Sequence, residues 1–231
     1  MRSFFLVCLL LGTLPAASAG KSSEIDPQLQ EIINKIDARN QEVQRLKANF
    51  VERRDMSLLK EPIIKKGVFY LDRELGVKFE FEPKEDLILV VSDQEMVSLS
   101  PEAGKAARIP LKKRRSFLAH DLLIKNLRVV LDYFKVSYTR TAEGEIGRTL
   151  TLTPTKRKAK KKVRELKLWF DETFLISKVQ LTAPDGDVFL LELSEATINP
   201  ELDAALFSTD IPEEFELSDR MDFLFGPNTS L

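Results

Sequence analysis

Cysteine and histidine are almost absent from this sequence, which contains one of each among its 231 residues. The cysteine is Cys8, inside the apolar N-terminal segment, and the histidine is His120. A disulfide framework, a thiolate metal site and a cluster of histidine ligands are therefore excluded. A Ser-His-Asp triad would have to be built on His120 alone. We predict no metal site.

Glycine-rich segments are also missing, because the nine glycines are scattered singly along the chain. A phosphate-binding loop of the usual glycine-rich kind is therefore not expected. Neither sign of charge dominates, since 35 Lys and Arg face 36 Asp and Glu. General affinity for nucleic acid is not expected of such a balanced chain. The sequence predicts that the protein is not an enzyme.

The N-terminus has the layout of a secretory signal peptide. A single early cation, Arg2, precedes the apolar run Phe4–Leu11, and small residues follow at Ala17 and Ala19. The run is too short for a transmembrane helix, which needs roughly 20 residues. We predict that residues 1–19 are removed after export.

The remaining residues, 20–231, are predicted to form a single domain. With 43% hydrophobic residues they can bury a real core, and no internal repeat or long linker divides them. Because no membrane anchor is retained, the mature protein is predicted to be soluble and exported.

Alternating apolar and polar residues dominate the chain after an N-terminal amphipathic helix. This helix is predicted to begin at Asp26-Pro27, and strand-like alternation begins near Leu46. Further helices are predicted at 113–131 and from Asn199-Pro200. Further strands are predicted at 63–71, 77–82, 86–92, 96–99, 105–109, 134–138, 148–153, 163–170, 174–182 and 188–193. The pattern predicts a mainly β (α+β) fold, with a strongly bent antiparallel sheet or an open barrel.

Large apolar side chains are unusually frequent on one face of these predicted strands. Each of them, taken singly, fits a residue of the protein's own core. A bent sheet crossed by a helix nevertheless has a hollow face that can hold an apolar ligand. The pattern permits a cavity without requiring one.

Six segments, taken in order, resemble the LolA-type periplasmic outer-membrane lipoprotein carriers. The segments are Leu46–Glu52 (LKANFVE), Gly67–Arg73 (GVFYLDR), Val77–Pro83 (VKFEFEP), Leu87–Asp93 (LILVVSD), Leu150–Pro154 (LTLTP) and Phe207–Pro212 (FSTDIP). The resemblance covers roughly residues 26–217. No single segment is diagnostic, and the specificity lies in their order.

The resemblance implies an open antiparallel half-barrel of about eleven strands that is closed by a helical lid. Its apolar interior would bind the acyl chains of lipoproteins and carry them from the inner to the outer membrane. The implied partners are lipid-modified proteins, an inner-membrane lipoprotein-releasing ABC transporter and an outer-membrane lipoprotein receptor. The implied carrier is a monomer, uses no cofactor and binds no nucleic acid. A periplasmic lipid-binding or envelope-stress sensing module on the same fold is the alternative.

The resemblance also assigns roles to individual residues. Arg73 falls where the carriers have an arginine that holds the lid shut, although Glu74 stands where the family usually has proline. From the residues alone, an arginine on an apolar face either extends to the rim or binds carbonyl groups. The predicted cavity residues are Ile33, Ile36, Phe50, Phe69, Leu71, Val77, Phe79, Phe81, Leu87, Leu89, Leu166, Leu168, Phe170, Leu191 and Leu193.

A run of seven cations in nine positions lies between two predicted strands. Its basic residues are Lys156, Arg157, Lys158, Lys160, Lys161, Lys162 and Arg164. A solvated hairpin loop is the simplest interpretation, because like charges repel. In an exported protein, the run and Lys112–Arg115 could together contact anionic lipid headgroups or an acidic partner. Nucleic acid is disfavoured because no aromatic residue interrupts the run.

Overall fold

The computed structural model describes residues 26–111, Leu127, 134–140 and 146–218. Within these ranges a 16-residue helix, α1 (Pro27–Glu42), precedes a sheet of twelve strands. A single helical turn, α2 (Arg157–Lys160), lies in the connection between two neighbouring strands. The strands are β1 (Arg45–Asp55), β2 (Ile63–Asp72), β3 (Gly76–Phe81), β4 (Ile88–Val91), β5 (Glu95–Ser100), β6 (Lys105–Pro110), β7 (Phe134–Arg140), β8 (Ile146–Pro154), β9 (Glu165–Phe170), β10 (Ile176–Thr182), β11 (Val188–Ile198) and β12 (Glu216–Ser218).

The strands form one open layer in the order β12-β6-β5-β4-β3-β2-β1-β11-β10-β9-β8-β7. Every neighbouring pair is antiparallel except β12 and β6, which are parallel. The predicted open, mainly β architecture is confirmed. One pair departs from the predicted antiparallel arrangement, because β12 lies parallel to β6. It reaches β6 through the long segment 199–215 rather than through a hairpin, which would have imposed an antiparallel direction.

Helix α1 begins where its sequence predicts. The Asp26 carboxylate accepts a hydrogen bond from the Gln28 N–H at 2.9 Å, and Pro27 occupies the first helical position. Leu29, Ile33 and Ile36 form its buried stripe. This stripe packs on one face of the sheet, which we call the inner face.

Most of the buried apolar residues of the described ranges fall into two clusters on that inner face. The first cluster joins α1 to strands β7–β10 and to the segment before β9: Leu29, Ile33, Ile36, Leu127, Phe134, Leu150, Leu152, Val163, Leu166, Leu168, Phe170, Ile176 and Val179. The second lies mainly on β1–β6 and β11: Val43, Leu46, Phe50, Phe69, Leu71, Val77, Phe81, Leu87, Val91, Met96, Ala107 and Leu191. The inner face therefore has two apolar regions, of which α1 fills the first.

The opposite face is covered by the chain after β11. A 3-10 turn at Ala204–Phe207 packs near β3 and buries Phe207, and Arg108 donates a hydrogen bond to the Thr209 carbonyl at 2.9 Å. Val90 and Val97 are buried on this face. The predicted closing segment Phe207–Pro212 thus belongs to the outer covering of the sheet.

The predicted helix start at Asn199-Pro200 is wrong. Asn199 has a left-handed backbone (φ 52°), and its Oδ1 accepts hydrogen bonds from the N–H groups of Gln44 and Arg45. The 3-10 turn begins five residues later and is capped by Asp203. Asparagine serves both as a helix cap and as a left-handed turn residue, so the sequence signal was ambiguous.

Gly67 provides the space for a group of phenylalanines on the inner face. The ring centroid of Phe50 lies 5.3 Å from that of Phe79 and 5.1 Å from that of Phe81, both edge-to-face. A Cβ at Gly67 would lie 2.0 Å from the Glu80 carbonyl oxygen and 2.8 Å from the Phe50 ring. Only glycine fits this close approach of two strands and a ring.

We expect Gly67→Ala to lower the free energy of unfolding by about 3 kcal/mol, because backbone and ring must both move. Urea denaturation of the purified protein measures this change. Gly104→Ala is the matched control, since its Cβ would meet nothing within 4 Å and only its left-handed backbone (φ 59°) costs about 1 kcal/mol. Equal losses in the two variants would contradict the packing argument.

Candidate functional site

The predicted cavity residues divide between the two apolar clusters. Five of them belong to the first cluster: Ile33, Ile36, Leu166, Leu168 and Phe170. The other ten belong to the second cluster or pack against it: Phe50, Phe69, Leu71, Val77, Phe79, Phe81, Leu87, Leu89, Leu191 and Leu193. All five of the first group are buried against α1 or strands β8–β10. A role in binding acyl chains remains a prediction for both groups.

The second cluster keeps part of its apolar surface accessible. The partly buried side chains packed against it are Phe79, Leu89, Ile109, Leu111, Leu175, Phe189, Leu193 and Ile198. Cross-strand register places Phe79 between Phe69 and Leu89, and Leu193 opposite Phe50. An apolar surface therefore runs continuously across the inner face from β11 to β4.

A cavity of about 340 Å³ opens where strands β10 and β11 separate. The two strands pair from Thr182 opposite Val188 to Lys178 opposite Glu192. Beyond this point β11 continues to Ile198 along β1, while the chain on the β10 side turns away through Leu175. The apolar walls of the cavity are Leu46, Leu175, Ile176, Leu193 and Ile198. Its size lies at the lower end of the range for small-molecule sites.

A bulge in β11 forms part of the wall of this cavity. Two residues, Glu195 and Ala196, face the single residue Ala48 of β1, and Glu195 has a left-handed backbone (φ 52°). The Asn49 amide donates to the Glu195 carboxylate at 2.7 Å, which fixes the bulge. Bulges bend a strand and redirect its side chains, and this one accompanies the separation of β11 from β10.

Arg39 brings an unused hydrogen-bond donor to the cavity. It extends from the last turn of α1, and its Nη1 donates to Glu42 at 2.9 Å. Its Nε is buried and has no hydrogen-bond partner among the described residues. Such a donor normally finds an acceptor, so an oxygen of a bound ligand would fit here.

Arg73 binds the C-terminal end of α1. Its guanidinium donates to the carbonyl of Asn40 and, at 2.5 Å, to that of Val43, and its backbone N–H donates to Gln44 at 3.0 Å. These carbonyls belong to the end of a helix, where acceptors lack partners within the helix. Burial lowers the pKa of the Arg73 guanidinium from its ordinary value. Of the two sequence alternatives, binding to carbonyl groups is the one observed.

The glutamate that replaces the usual proline also has a structural role. The Glu74 N–H donates to Asp72 Oδ1 at 2.9 Å, and the Leu75 N–H donates to the same oxygen at 3.3 Å. A proline could not supply the first of these bonds. Asp72 also pairs with Arg45 at 3.0 Å, so the turn after β2 is held by side chains.

The helix predicted at 113–131 lies outside the described residues except for Leu127. Leu127 is helical and buried, and its N–H donates to the buried carboxylate of Asp37 on α1 at 2.8 Å. The sequence analysis missed Asp37 and Asn40, which share the buried face of α1. The role of Arg73 as a latch for a lid stays a prediction.

A charged group on the inner face, which the sequence analysis did not identify, ends the apolar surface beyond Phe50. Arg54 pairs with the buried Glu52, and Lys65 pairs with Glu85 at 3.5 Å. The Arg54 guanidinium lies 5.6 Å from the ring centre of Phe189. The sequence did contain a signal for this group, because the period-two alternation continues from Phe50 to Glu52 and Arg54 and places all three on the same face of the strand. We call Glu52, Arg54, Lys65 and Glu85 the charged end of the inner face.

The basic run forms the connection between β8 and β9, as predicted, but contains the helical turn α2 rather than only a loop. Lys156, Arg157, Lys160, Lys161, Lys162 and Arg164 are exposed, and Lys158 lies within the helical turn. Val163 is buried and anchors the run in the first cluster. Contact with a membrane or partner stays a prediction.

The other predicted basic stretch, Lys112–Arg115, lies outside the described residues. Leu111, just before it, donates its N–H to Gln94 in the turn between β4 and β5. That turn lies at the opposite end of the strands from the basic run. The two basic stretches therefore begin at opposite ends of the sheet. The expectation that they form one surface is therefore not supported.

In the described ranges, no three acidic, cysteine or histidine side chains are grouped to hold a metal ion. No helix found there has the length and apolar character needed to cross a bilayer.

The fold belongs to the class of open half-barrels whose inner face is apolar. Residues 41–210 match the family described as outer membrane lipoprotein carrier protein LolA. Because the match covers well over half of the chain, this protein belongs to the LolA family. A comparison with curated protein sequences gives no significant match.

Several solved structures resemble the fold at low sequence identity. A conserved protein from Thermus thermophilus is 13% identical, with a TM-score of 0.48 over 83% of this chain and 99% of that one. A LolA superfamily protein from Nitrosomonas europaea is 13% identical, with a TM-score of 0.43 over 78% and 96%. The lipoprotein LppX from Mycobacterium tuberculosis is 12% identical, with a TM-score of 0.42 over 77% and 99%.

We expect Arg73→Leu to loosen the end of α1, because the Asn40 and Val43 carbonyls lose a charged donor worth about 2 kcal/mol. Hydrogen exchange should rise at the amides of residues 40–44. If Arg73 also latches the lid, a bound fluorescent fatty acid should dissociate at a different rate. Arg45→Leu, which removes only a half-exposed ion pair, is the control and should change either readout little. Wild-type exchange in Arg73→Leu would refute the anchoring role.

Proposed function

We propose that the protein is a periplasmic carrier that binds the acyl chains of lipoproteins on its inner face and moves them from the inner to the outer membrane. The observation that carries this proposal is the partly exposed apolar surface of β1–β4 and β11, with its cavity between β10 and β11. Membership of the LolA family supports it.

Acyl chains suit this surface because burial of methylene groups is strong and undirected. Each buried methylene contributes about 0.8 kcal/mol, so ten of them contribute about 8 kcal/mol before the cost of ordering the chain. The large apolar residues that line the cavity are leucine and isoleucine, which make no directional contacts. The carrier can therefore accept cargoes that share lipid chains but differ in their protein part.

Arg39 is the residue that we assign to the polar end of the lipid. Its Nε, which has no partner among the described residues, offers a donor beside the apolar walls, and Ser177 adds a polar side chain to the rim of the cavity. An ester carbonyl of the cargo would accept from Arg39, while the chains lie along Leu193 and Leu175. This arrangement orients the cargo without recognising its protein part.

The wider pathway follows from the same proposal. Removal of residues 1–19 would release the carrier into the periplasm, where it would act as a monomer, without a cofactor and without catalysis. An inner-membrane lipoprotein-releasing ABC transporter would load it, and an outer-membrane receptor of higher affinity would unload it. Arg73, at the junction of β2 with α1, is the residue that we propose couples a lid to the empty state.

The proposed cargo is tested by identifying the molecules that copurify with the native protein. Mass spectrometry of protein recovered from the periplasm should find lipoproteins or acylated lipid. Protein that is always empty and that takes up no fluorescent fatty acid would refute the proposal. Capture of a regulatory protein by that empty protein would favour the sensing module on the same fold.

We expect Leu193→Gln to weaken binding of a fluorescent fatty acid by about tenfold, because a polar amide replaces an apolar wall. Fluorescence titration gives the dissociation constant. Leu190→Gln is the matched control, because Leu190 lies on the same strand but on the opposite face of the sheet. Equal affinity of the two variants, at equal stability in urea, would place the fatty acid elsewhere.

A further inference from the structure

The connection between β1 and β2 exposes a group of large apolar side chains. Leu58 is 88% exposed, Leu59 46%, Ile64 47% and Ile63 37%. They account for four of the six exposed large apolar residues in the described part of the chain. We call residues 56–64 the apolar tip. No packing within the described fold explains why this tip is apolar.

The register of the sheet brings the apolar tip and the basic run to the same end of the strands. We call this end of the sheet, where the connections lie, the loop edge. Asp55, at the end of β1, pairs with Val188, which pairs with Thr182, and Thr182 pairs with Glu165 at the start of β9. The connections β1–β2, β10–β11 and β8–β9 are therefore consecutive along the loop edge. Four strand spacings separate the first from the last, a distance of roughly 20 Å.

Two hydrogen bonds from backbone N–H groups tie these connections to their neighbours. The Ser57 N–H in the apolar tip donates to Asp187 Oδ1, in the β10–β11 connection, at 2.7 Å. The Arg164 N–H, at the end of the basic run, donates to the Thr182 carbonyl at 2.8 Å. The apolar and the basic elements are therefore fixed relative to one another.

We propose that this edge docks the protein on the surface of an anionic lipid bilayer. Leu58 and Leu59 enter the interface between headgroups and chains, and the cations of the basic run contact lipid phosphates. Stable attachment to a bilayer generally needs two such signals, because a small apolar anchor or a basic patch alone binds weakly. Here the fold supplies both on one edge.

The composition of the edge favours a bilayer over other partners. Bilayer binding needs no precise partner geometry, and the exposed lysines of the basic run present diffuse charge. A nucleic-acid surface would interleave aromatic residues, and residues 155–164 contain none. The acidic residues nearby are outnumbered, because Asp185, Asp187 and Glu61 in the neighbouring connections stand against seven cations in the basic run, which itself has no carboxylate.

Docking by this edge would also orient the inner face. Ile63 pairs with Arg54, and Lys65 pairs with Glu52, so the charged end of the inner face directly adjoins the apolar tip. A bilayer at this edge would therefore meet the inner face at its charged end. The inference goes beyond the proposed function, since a carrier of apolar cargo does not require membrane contact of its own.

The experiment is flotation of protein recovered from the periplasm with vesicles of phosphatidylcholine, with or without phosphatidylglycerol. We expect binding to the phosphatidylglycerol vesicles that falls with rising salt. Leu58→Ser with Leu59→Ser should weaken it at least tenfold, because two apolar side chains leave the interface. Lys160→Gln with Lys161→Gln should weaken it by about fivefold per charge.

Matched pairs control for general loss of apolar surface or charge. Leu75→Ser with Leu217→Ser removes two exposed leucines elsewhere, and Lys35→Gln with Lys47→Gln removes two exposed lysines elsewhere. Both control pairs should float like the wild type. Equal binding to neutral vesicles, equal effects of the control pairs, or capture of a protein by this edge without vesicle binding would overturn the proposal.

Fatty-acid uptake by the same variants separates this proposal from the carrier function. Uptake should match the wild type in all four pairs, because none of these residues lines the cavity. Normal uptake without vesicle binding would refute only the docking edge. Vesicle binding without uptake would refute only the carrier function.

Discussion

The pairing of β1 with β11 is the interaction on which the rest of the structure depends. It joins an N-terminal strand to a C-terminal one from Leu46 opposite Ile198 to Asp55 opposite Val188. Without it, β1–β6 with β12 would form one sheet and β7–β11 another, and each would have an additional open edge. Because β1 pairs with β2 on its other side, the ladder makes one continuous inner face from both halves of the chain.

The two halves of that face are used differently. On one side α1 supplies Leu29, Ile33 and Ile36 and closes the surface of β7–β10 as an ordinary core. On the other side Phe79, Leu89 and Leu193 remain partly exposed. The division follows from where α1 ends, because Arg73 holds its last carbonyls at the start of β1. Asn199 also holds this end, since its amide donates to the Glu42 carbonyl at 3.0 Å, so two side chains fix where the helix stops over the sheet.

Much of this architecture could be predicted from the sequence, because period-two alternation is strong in strands such as Gly76–Phe81. The cap at Asp26-Pro27 located α1 for an equally local reason. β12 could not be predicted, since three residues paired in parallel leave no periodic signal. Asn199 was misread because one residue type serves two backbone conformations. The charged end was overlooked because Glu52 and Arg54 continue an apolar face with polar residues, and only the paired structure shows that they satisfy each other.

The partial separation of β10 from β11 has a mechanical consequence. The two strands share five paired positions, and further along β11 is held by β1 alone among the described strands. Beyond Lys178 and Glu192 the two walls of the cavity therefore share no hydrogen-bond ladder with each other. The distance between these walls is set by the packing of side chains such as Leu175 and Leu193 rather than by paired backbone, so substitutions there can change the width of the cavity without removing a ladder bond.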